Sequence, residues 1–237
     1  MKTLRFIGMA VLAVVMSVNF TSCSDDDEPG SENPIGGKNK RLVQDMEQED
    51  PNDISYYHYN ADGWLEEVTK SDNESIKYSY STKNGKTYVK GTWEDGQIES
   101  ETVIENDLIK TIDGIECLYD AENRLIQCGN AKFTWENGNV TKVEIGGSTY
   151  LYTYDADRVN KYSIGSDPIV EHFDNYFVSA HPYLLGQYCK NLVKSTIYKN
   201  GYNDEIDNYS YQIDGDGYVL SYKSDRWEEN IFDYKWE

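Results

Sequence analysis

The residues of this chain that could do chemistry are its cysteines, histidines and acids, and their spacing matches no common catalytic or metal-binding motif. The sequence holds 4 cysteines, 3 histidines and 42 aspartates and glutamates. His58, His172 and His181 are not spaced as ligands of one metal, and no two cysteines have zinc-ligand spacing. No G-x-S-x-G nucleophile motif and no recognised Cys–His signature is present. We therefore expect no enzymatic activity, no metal site and no cofactor.

Two acidic patterns need separate consideration. The segment Asp214-Gly215-Asp216-Gly217 looks like the opening of a calcium loop, but Val219 stands where the loop requires a glycine. A hairpin turn explains this segment better. Paired carboxylates could also cleave a glycosidic bond, and among 42 acids only geometry could select such a pair. A glycoside-cleaving enzyme is therefore the second alternative that the sequence leaves open.

Cys117 and Cys128 are a candidate disulfide. If Glu122 and Asn123 form a two-residue turn, Tyr119 lies opposite Ile126 and Cys117 lies opposite Cys128. Opposed residues in antiparallel strands have Cα atoms about 4.5 to 5.5 Å apart, which is within disulfide range. A three-residue turn would break this register and leave two free thiols. Cys189 is expected to be a buried free thiol.

Trp64 and Trp227 are the candidate ligand-stacking residues. Each follows a turn sequence, Asp62-Gly63 or Ser224-Asp225-Arg226, so each is expected near a hairpin tip. An exposed aromatic ring at such a tip could stack on a sugar. Packing of both rings at the rim of the fold is the alternative.

The composition excludes one class of partner and favours a folded domain. The 237 residues carry 22 basic and 42 acidic side chains, a formal net charge of −20. Nucleic-acid binding needs clustered lysine and arginine to neutralise phosphates, so we expect no nucleic acid as partner. The 21 tyrosines are unlike a disordered acidic chain, which is poor in aromatic residues.

The N-terminal region is predicted to direct export of the protein and to anchor it to a membrane. Residues 1–22 have a basic start and an apolar run too short to span a bilayer, which indicates a secretory signal peptide. Phe20-Thr21-Ser22-Cys23 resembles a bacterial lipobox, which implies cleavage before Cys23 and lipidation of its thiol. Residues 23–40 then form a flexible acidic linker. The five residues after Cys23 resemble the export signal of Bacteroides-type surface lipoproteins: Ser24, Asp25, Asp26, Asp27 and Glu28.

The rest of the chain, residues 41–237, is predicted to be a single all-β domain. Apolar and polar residues alternate in short runs, as in Ile76–Ser81, with turn dipeptides such as Asn84-Gly85 between them. We expect a curled antiparallel meander of about 16 strands, closed or nearly closed into a barrel, because long open sheets curl or split. The alternation fails before Leu192, where Pro182, Leu184 and Leu185 predict one short helical insertion near 182–190. This insertion could fill the barrel or act as a lid, and we favour filling.

An internal repeat supports this architecture. Tyr59-Asn60-Ala61-Asp62-Gly63-Trp64-Leu65 matches Tyr119-Asp120-Ala121-Glu122-Asn123-Arg124-Leu125, and weaker copies begin at Tyr154 and Ile213. The repeat resembles the Tyr-Asp hairpins of Rhs-type shell proteins, and we expect all four copies on one rim.

Together, the lipobox, the acidic leader, these hairpins and the scarcity of helices resemble a Bacteroidota lipoprotein family, a domain of unknown function with a porin-like fold. The resemblance covers about residues 41–237 and implies a porin-like barrel. It carries no catalytic residues over to this chain.

The sequence therefore predicts a lipoprotein attached to the outer membrane through its N-terminal lipid and facing the cell exterior. We expect a non-enzymatic binding or scaffold module whose partner is a glycan or a surface protein. The first alternative is a carbohydrate-binding accessory of a glycan-utilisation system.

Overall fold

A computed structural model describes residues 40–47, 53–164, 166–173, 175–199, 204–226 and 232–237. These residues form sixteen antiparallel strands in a closed barrel, each strand bonded to its sequence neighbour and β1 bonded to β16. The strands are β1 (Leu42–Glu47), β2 (Ile54–Tyr59), β3 (Leu65–Lys70), β4 (Ser75–Lys83), β5 (Lys86–Trp93), β6 (Ile98–Glu105), β7 (Leu108–Ile112), β8 (Ile115–Tyr119), β9 (Leu125–Cys128), β10 (Ala131–Glu136), β11 (Asn139–Ile145), β12 (Ser148–Val159), β13 (Asn191–Lys199), β14 (Asp204–Ile213), β15 (Val219–Ser224) and β16 (Phe232–Trp236). The predicted all-β barrel of about 16 strands is confirmed.

Alternation of side chains divides each strand between the barrel interior and the solvent. In β4, Ile76 and Tyr78 are buried, whereas Lys77 and Ser79 between them are exposed. A period of two places alternate residues on opposite faces of a sheet, so one face of the wall becomes the core. Strands that are neighbours in the barrel are also consecutive in the chain. The exception is β1 and β16, which pair with each other and close the barrel.

The repeated hairpin sequence lies at one end of the barrel. We call the rim at which the odd-numbered strands begin the upper rim, and the opposite one the lower rim. Three of the four repeat copies connect an even strand to the following odd strand at the upper rim, as expected, whereas the copy that begins at Tyr154 lies within the last residues of β12 and forms no hairpin turn. At three of them, Asn60, Asp120 and Asp214, the side-chain Oδ1 accepts from the backbone N–H groups two and four residues later. The Asx residue thus closes a turn of three residues.

A bulge follows each of these upper-rim turns and recurs around the barrel. In seven of the eight odd strands, one extra residue interrupts the register directly after the strand begins; only β5 runs without it. The residue before each bulge is apolar and buried. A bulge leaves one residue out of the ladder and increases the local twist, which helps a sheet to close.

The same seven residues accept a hydrogen bond from an aromatic side chain on the next strand. The donors and acceptors are Tyr59 to Leu42, Tyr80 to Leu65, Tyr119 to Ile109, Trp135 to Leu125, Tyr154 to Val140, Tyr211 to Val193 and Trp236 to Val219. In each case a tyrosine hydroxyl or an indole N–H donates to the backbone carbonyl. A buried tyrosine or tryptophan needs a partner for its polar atom, and a buried carbonyl needs a donor, so each bond satisfies both groups.

The connection between β12 and β13 folds into the barrel interior. It contains α1 (Tyr176–Ala180) and a 3-10 turn at Pro182–Leu185, both with fully buried side chains such as Phe177 and Leu184. Asn175 caps α1, since its side-chain oxygen accepts from the N–H of Val178 at 3.0 Å. The Phe177 ring lies 6.0 Å from the ring of Tyr78. The predicted insertion is confirmed and packs into the core.

The bounds of the helical insertion differ from the expected 182–190. The α-helix lies before Pro182, and only the tight 3-10 turn follows it. Gly186 ends this turn at φ of 86°, and a Cβ there would overlap the backbone carbonyl oxygen of Asn123. Leu192 belongs to β13. The residues after Pro182 that have helical spacing are therefore buried by two different elements, Leu184 and Leu185 by the 3-10 turn and Leu192 by β13.

The hydroxyl-to-carbonyl bonds predict a specific stability loss. In Tyr119→Phe, the carbonyl of Ile109 loses a bond of 2.7 Å and stays buried, so we expect the free energy of unfolding to fall by about 1–3 kcal/mol. Tyr88→Phe is the matched control, because Tyr88 is 39% exposed. Urea unfolding of both variants measures the difference, and equal stabilities would contradict the role assigned to these bonds.

Candidate functional site

A cavity of about 470 Å³ lies inside the barrel between the insertion and the strands β1, β2 and β14–β16. Asp45 near the end of β1, Asp53 just before β2 and Phe232 at the start of β16 place it toward the lower rim. From the insertion it takes five polar residues: Ser163, Ser166, Glu171, Asn175 and Ser179. This volume and this mixture of aromatic and polar groups are those of a small-molecule site.

Asp45 is one of two carboxylates in the cavity wall that have no basic partner among the described residues. The hydroxyl of Tyr57 donates to its Oδ2 at 2.6 Å. Burial raises the pKa of Asp45 to about 6, although the hydrogen bond from Tyr57 acts in the opposite direction. The carboxyl therefore changes charge near neutral pH.

Glu171 is the second such carboxylate, and the insertion carries it. The hydroxyl of Tyr152 donates to its Oε2 at 3.1 Å. Water can reach the Glu171 side chain from the cavity, yet protein surrounds the carboxyl, and this burial raises the pKa of Glu171 to about 7. His172 next to it does not supply a positive charge, because burial lowers the pKa of its imidazole to about 4.

Asp53 differs from the other two acids because it has a basic partner. The ammonium of Lys70 lies 3.3 Å from Oδ1 of Asp53. No lysine, arginine or histidine is among the described residues that line the cavity. The lining thus holds three carboxylates, one of which is neutralised from outside.

Aromatic rings form another part of the cavity wall. Tyr222, Phe232 and Tyr234 have ring centroids 5.8 to 6.3 Å apart and planes within 27° of one another. Tyr209 meets Tyr222 edge-on at 6.1 Å. Both strands that carry the three near-parallel rings, β15 and β16, alternate, so the rings share the inner face. We call Tyr222, Phe232 and Tyr234 the ring wall.

The structure brings Cys117 and Cys128 together. They are opposite each other in the register of β8 and β9, and their Sγ atoms lie 2.7 Å apart. The two-residue turn that led to this pairing is wrong: the turn has three residues, and Tyr119 pairs with Leu125 instead of Ile126. The bulge at Ile126 adds the residue that restores the predicted pairing. Cys189 is buried with a free thiol.

Trp64 packs against the insertion. Its ring stacks on Phe177 with an interplanar angle of 3° and a centroid distance of 6.4 Å, and it meets His181 at 5.4 Å. The side chain is half-buried. Trp227 lies outside the described residues, as do Cys23 and the acidic run that follows it. The roles assigned to all these residues stay predictions.

The sequence analysis missed Asp45 and Glu171. Asp45 sits at an inward position of β1, opposite Tyr234 of β16, and an acid among inward aromatic residues was the available signal. Glu171 lies in the part of the chain without periodicity, where no pattern indicates which side chains face the interior.

The described residues contain no cluster of three or more histidine, cysteine or acidic side chains that could hold a metal ion. They also contain no helix that is long and apolar enough to cross a membrane.

Two solved structures resemble this chain. A porin-like protein from Bacteroides uniformis aligns with a TM-score of 0.53 and 13% sequence identity, covering 84% of this chain and 97% of that protein. A porin-like protein from Bacteroides vulgatus aligns with a TM-score of 0.36 and 11% identity, covering 82% and 98%. No protein-family model matches the sequence, and no curated protein matches it either. The first likeness shows a porin-like barrel fold.

The facing thiols predict selective oxidation. Treatment of the folded protein with diamide should join Cys117 to Cys128, because opposed strand residues lie within disulfide range, and should leave Cys189 reduced, because its thiol contacts Val140 and Tyr154 and faces no other described cysteine. Alkylation after unfolding, followed by peptide mass spectrometry, identifies the free thiols. A protein with Cys117 and Cys128 both alkylated would contradict the pairing.

The raised pKa of Glu171 predicts a pH-dependent gain in stability when its charge is removed. Its pKa is about 7 in the folded protein against an ordinary 4.5, so ionisation between these values favours unfolding. Glu171→Gln should therefore match the parent protein at pH 4 and exceed it at pH 8. We expect a gain on the order of 1 kcal/mol at pH 8, reduced because water reaches the cavity.

Thermal unfolding of both proteins from pH 4 to pH 8 measures this gain. Glu66→Gln on the exposed surface changes the net charge equally and serves as control. A difference between Glu171→Gln and its parent that stayed constant with pH would refute the assignment.

Proposed function

We propose that this protein is a lipid-anchored binding barrel on the outer surface of the outer membrane, with its wall in water and no enzymatic activity. The charged outer wall is the observation that carries this proposal. The lipobox-like sequence at Cys23 and the acidic residues 24–28 support the anchor and the surface location.

Charged residues pair across neighbouring strands on the outside of the wall. Lys86 lies 3.3 Å from Glu105 between β5 and β6, and Lys199 lies 3.5 Å from Asp204 between β13 and β14. Further pairs across strands are Lys77 with Glu67 and Lys90 with Glu101, and Lys142 pairs with Glu144 within β11. A basic side chain facing the middle of a bilayer costs about 2–4 kcal/mol, so a wall of this kind favours water over lipid.

The strand lengths and the filled interior support the same conclusion. A strand that crosses a bilayer needs about 9–11 residues, whereas β8 has 5 and β9 has 4. The insertion also places Phe177, Leu184 and Leu185 in the barrel core. A barrel of sixteen strands with an open lumen would form a channel, but here the core occupies that space near the upper rim.

The electrostatics of the cavity favour binding over glycoside cleavage. A glycosidase needs one protonated and one ionised carboxyl, and their environments shift the two pKa values apart. Here burial raises the pKa of both Asp45 and Glu171. The two carboxyls that have no ion pair are therefore shifted in the same direction, and their environments do not divide them into an acid and a base.

Two fractionation experiments test the anchor and the wall together. The full chain should incorporate labelled palmitate in its bacterial host and stay with the membrane, and Cys23→Ala should not be labelled. A version that begins at Ser24 should stay in aqueous solution without detergent, because its outer wall is charged. Palmitate on Cys23→Ala, or a need for detergent by the shortened version, would contradict the proposal.

A further inference from the structure

We propose that the cavity beneath the insertion binds a small organic cation, whose positive group lies at Glu171 in a lining that Asp45 also makes acidic, and whose carbon skeleton lies on the ring wall. This inference rests on the proposed role of the protein as a binding barrel and names the class of its ligand. It is argued from the charge, the unused hydrogen-bonding capacity and the shape of the lining.

The charge balance of the lining is the first step. Three carboxylates face the cavity, and the lysine beside Asp53 is the only cation near them in the described part of the chain. Asp45 and Glu171 have no basic side chain within 4.0 Å there. Burying an ionised carboxylate without a partner is costly, and a ligand cation would remove that cost.

The second step is the free acceptor of Glu171. Its Oε2 accepts one hydrogen bond, from Tyr152, and no described donor reaches its Oε1. A carboxylate can accept about four hydrogen bonds. The side chain opens to the cavity, so the unused acceptor is available to an ammonium group there.

The ring wall supplies the third step. An ammonium near an aromatic face is attracted by the ring quadrupole, and the methylene groups next to it gain from apolar contact. The planes of Phe232 and Tyr234 differ by 18° and their centroids lie 6.1 Å apart, so they present one extended surface. Carboxylates beside such a surface match a cation that carries carbon.

A neutral sugar fits this lining less well. It would leave the charges of Asp45 and Glu171 without a counter-ion in the cavity, and it needs a balance of donors and acceptors from the protein. The cavity volume of about 470 Å³ admits ligands of either class. Charge, not size, therefore selects the cation, and a sugar is the competing occupant to be tested.

The pH dependence of binding separates these occupants. The titratable groups that face Asp45 are Tyr57, Asp53, Lys70, Tyr59 and Tyr176. Those that face Glu171 are Tyr152, Asp167, Asp207, His172, Tyr209, Tyr211 and Tyr222. Cation binding should strengthen from pH 5 to pH 8, as the two carboxyls lose their protons. Choline is the most informative probe because its own charge does not change in this range.

The test uses isothermal titration calorimetry of the whole protein with choline, spermidine and tyramine, and with maltose as the neutral probe. At least one cation should bind at pH 8, at least about 10-fold more weakly at pH 5, and more tightly than maltose. Absence of binding by all three cations at pH 8, or equal affinity at both pH values, overturns the proposal. Tighter binding of maltose assigns the cavity to a sugar and overturns it as well.

Variants locate the site. Glu171→Gln should weaken cation binding at pH 8 at least about 10-fold, and Asp45→Asn should weaken it in the same direction. Glu66→Gln removes the same charge from the exposed surface and should bind as the parent does. If Glu171→Gln fails to fold, Asp45→Asn and the pH dependence of the parent decide. Unchanged binding in a folded cavity variant overturns the site.

Failure of this inference and failure of the proposed function give different results. Cation binding can be absent in a protein that takes up palmitate and stays in water once shortened, which leaves the binding barrel without this ligand class. Cation binding can also persist in a protein that needs detergent. That result overturns the proposal of a barrel wall in water and leaves the proposed cation site standing.

Discussion

The hydrogen bond from an aromatic side chain to the backbone carbonyl before a bulge is the interaction on which this barrel depends. It joins local sequence to global shape, since the bulge twists the strand and the next strand supplies the donor. Burial raises the pKa of donors such as Tyr119 and Tyr59, so their hydroxyls keep the proton that they donate. The abundance of tyrosine in this chain thus has a structural cause. The aromatic ring fills the core, and its hydroxyl donates a hydrogen bond to a backbone carbonyl of the barrel wall.

A wall of sixteen strands encloses more space than its own side chains fill, and the connection from β12 to β13 supplies the missing volume. The insertion is fastened to the upper rim by backbone bonds: Gln187 N–H donates to Asn123 at 3.1 Å, and Lys190 N–H donates to Gly138 at 2.9 Å. His181 accepts from the N–H of Leu65 at 3.1 Å through Nε2. These bonds hold the segment that carries Glu171, so the same element fills one end of the barrel and shapes the cavity at the other.

The strands and their closure could be predicted because period two and turn dipeptides are local signals. Cys117 and Cys128 were paired through a turn that was one residue too short, and a bulge compensated for the error, because bulges leave no mark in hydrophobic alternation. The helix was placed too late because Leu184 and Leu192 are buried by different elements. The cavity could not be predicted: Asp45 and Glu171 both line it only through the closure of β1 on β16 and the path of the insertion.

The seam between β16 and β1 carries the same bulge as six of the other seven seams between an even strand and the odd strand after it. Val43 forms the bulge of β1, Tyr59 donates to Leu42 there, and Trp236 of the last strand donates to Val219. One even strand and the odd strand after it make a complete unit, so gene duplication can enlarge such a wall only two strands at a time. Only β5 lacks the bulge among the described odd strands, and a circularly permuted chain that opens at another lower-rim hairpin would keep every one of these contacts.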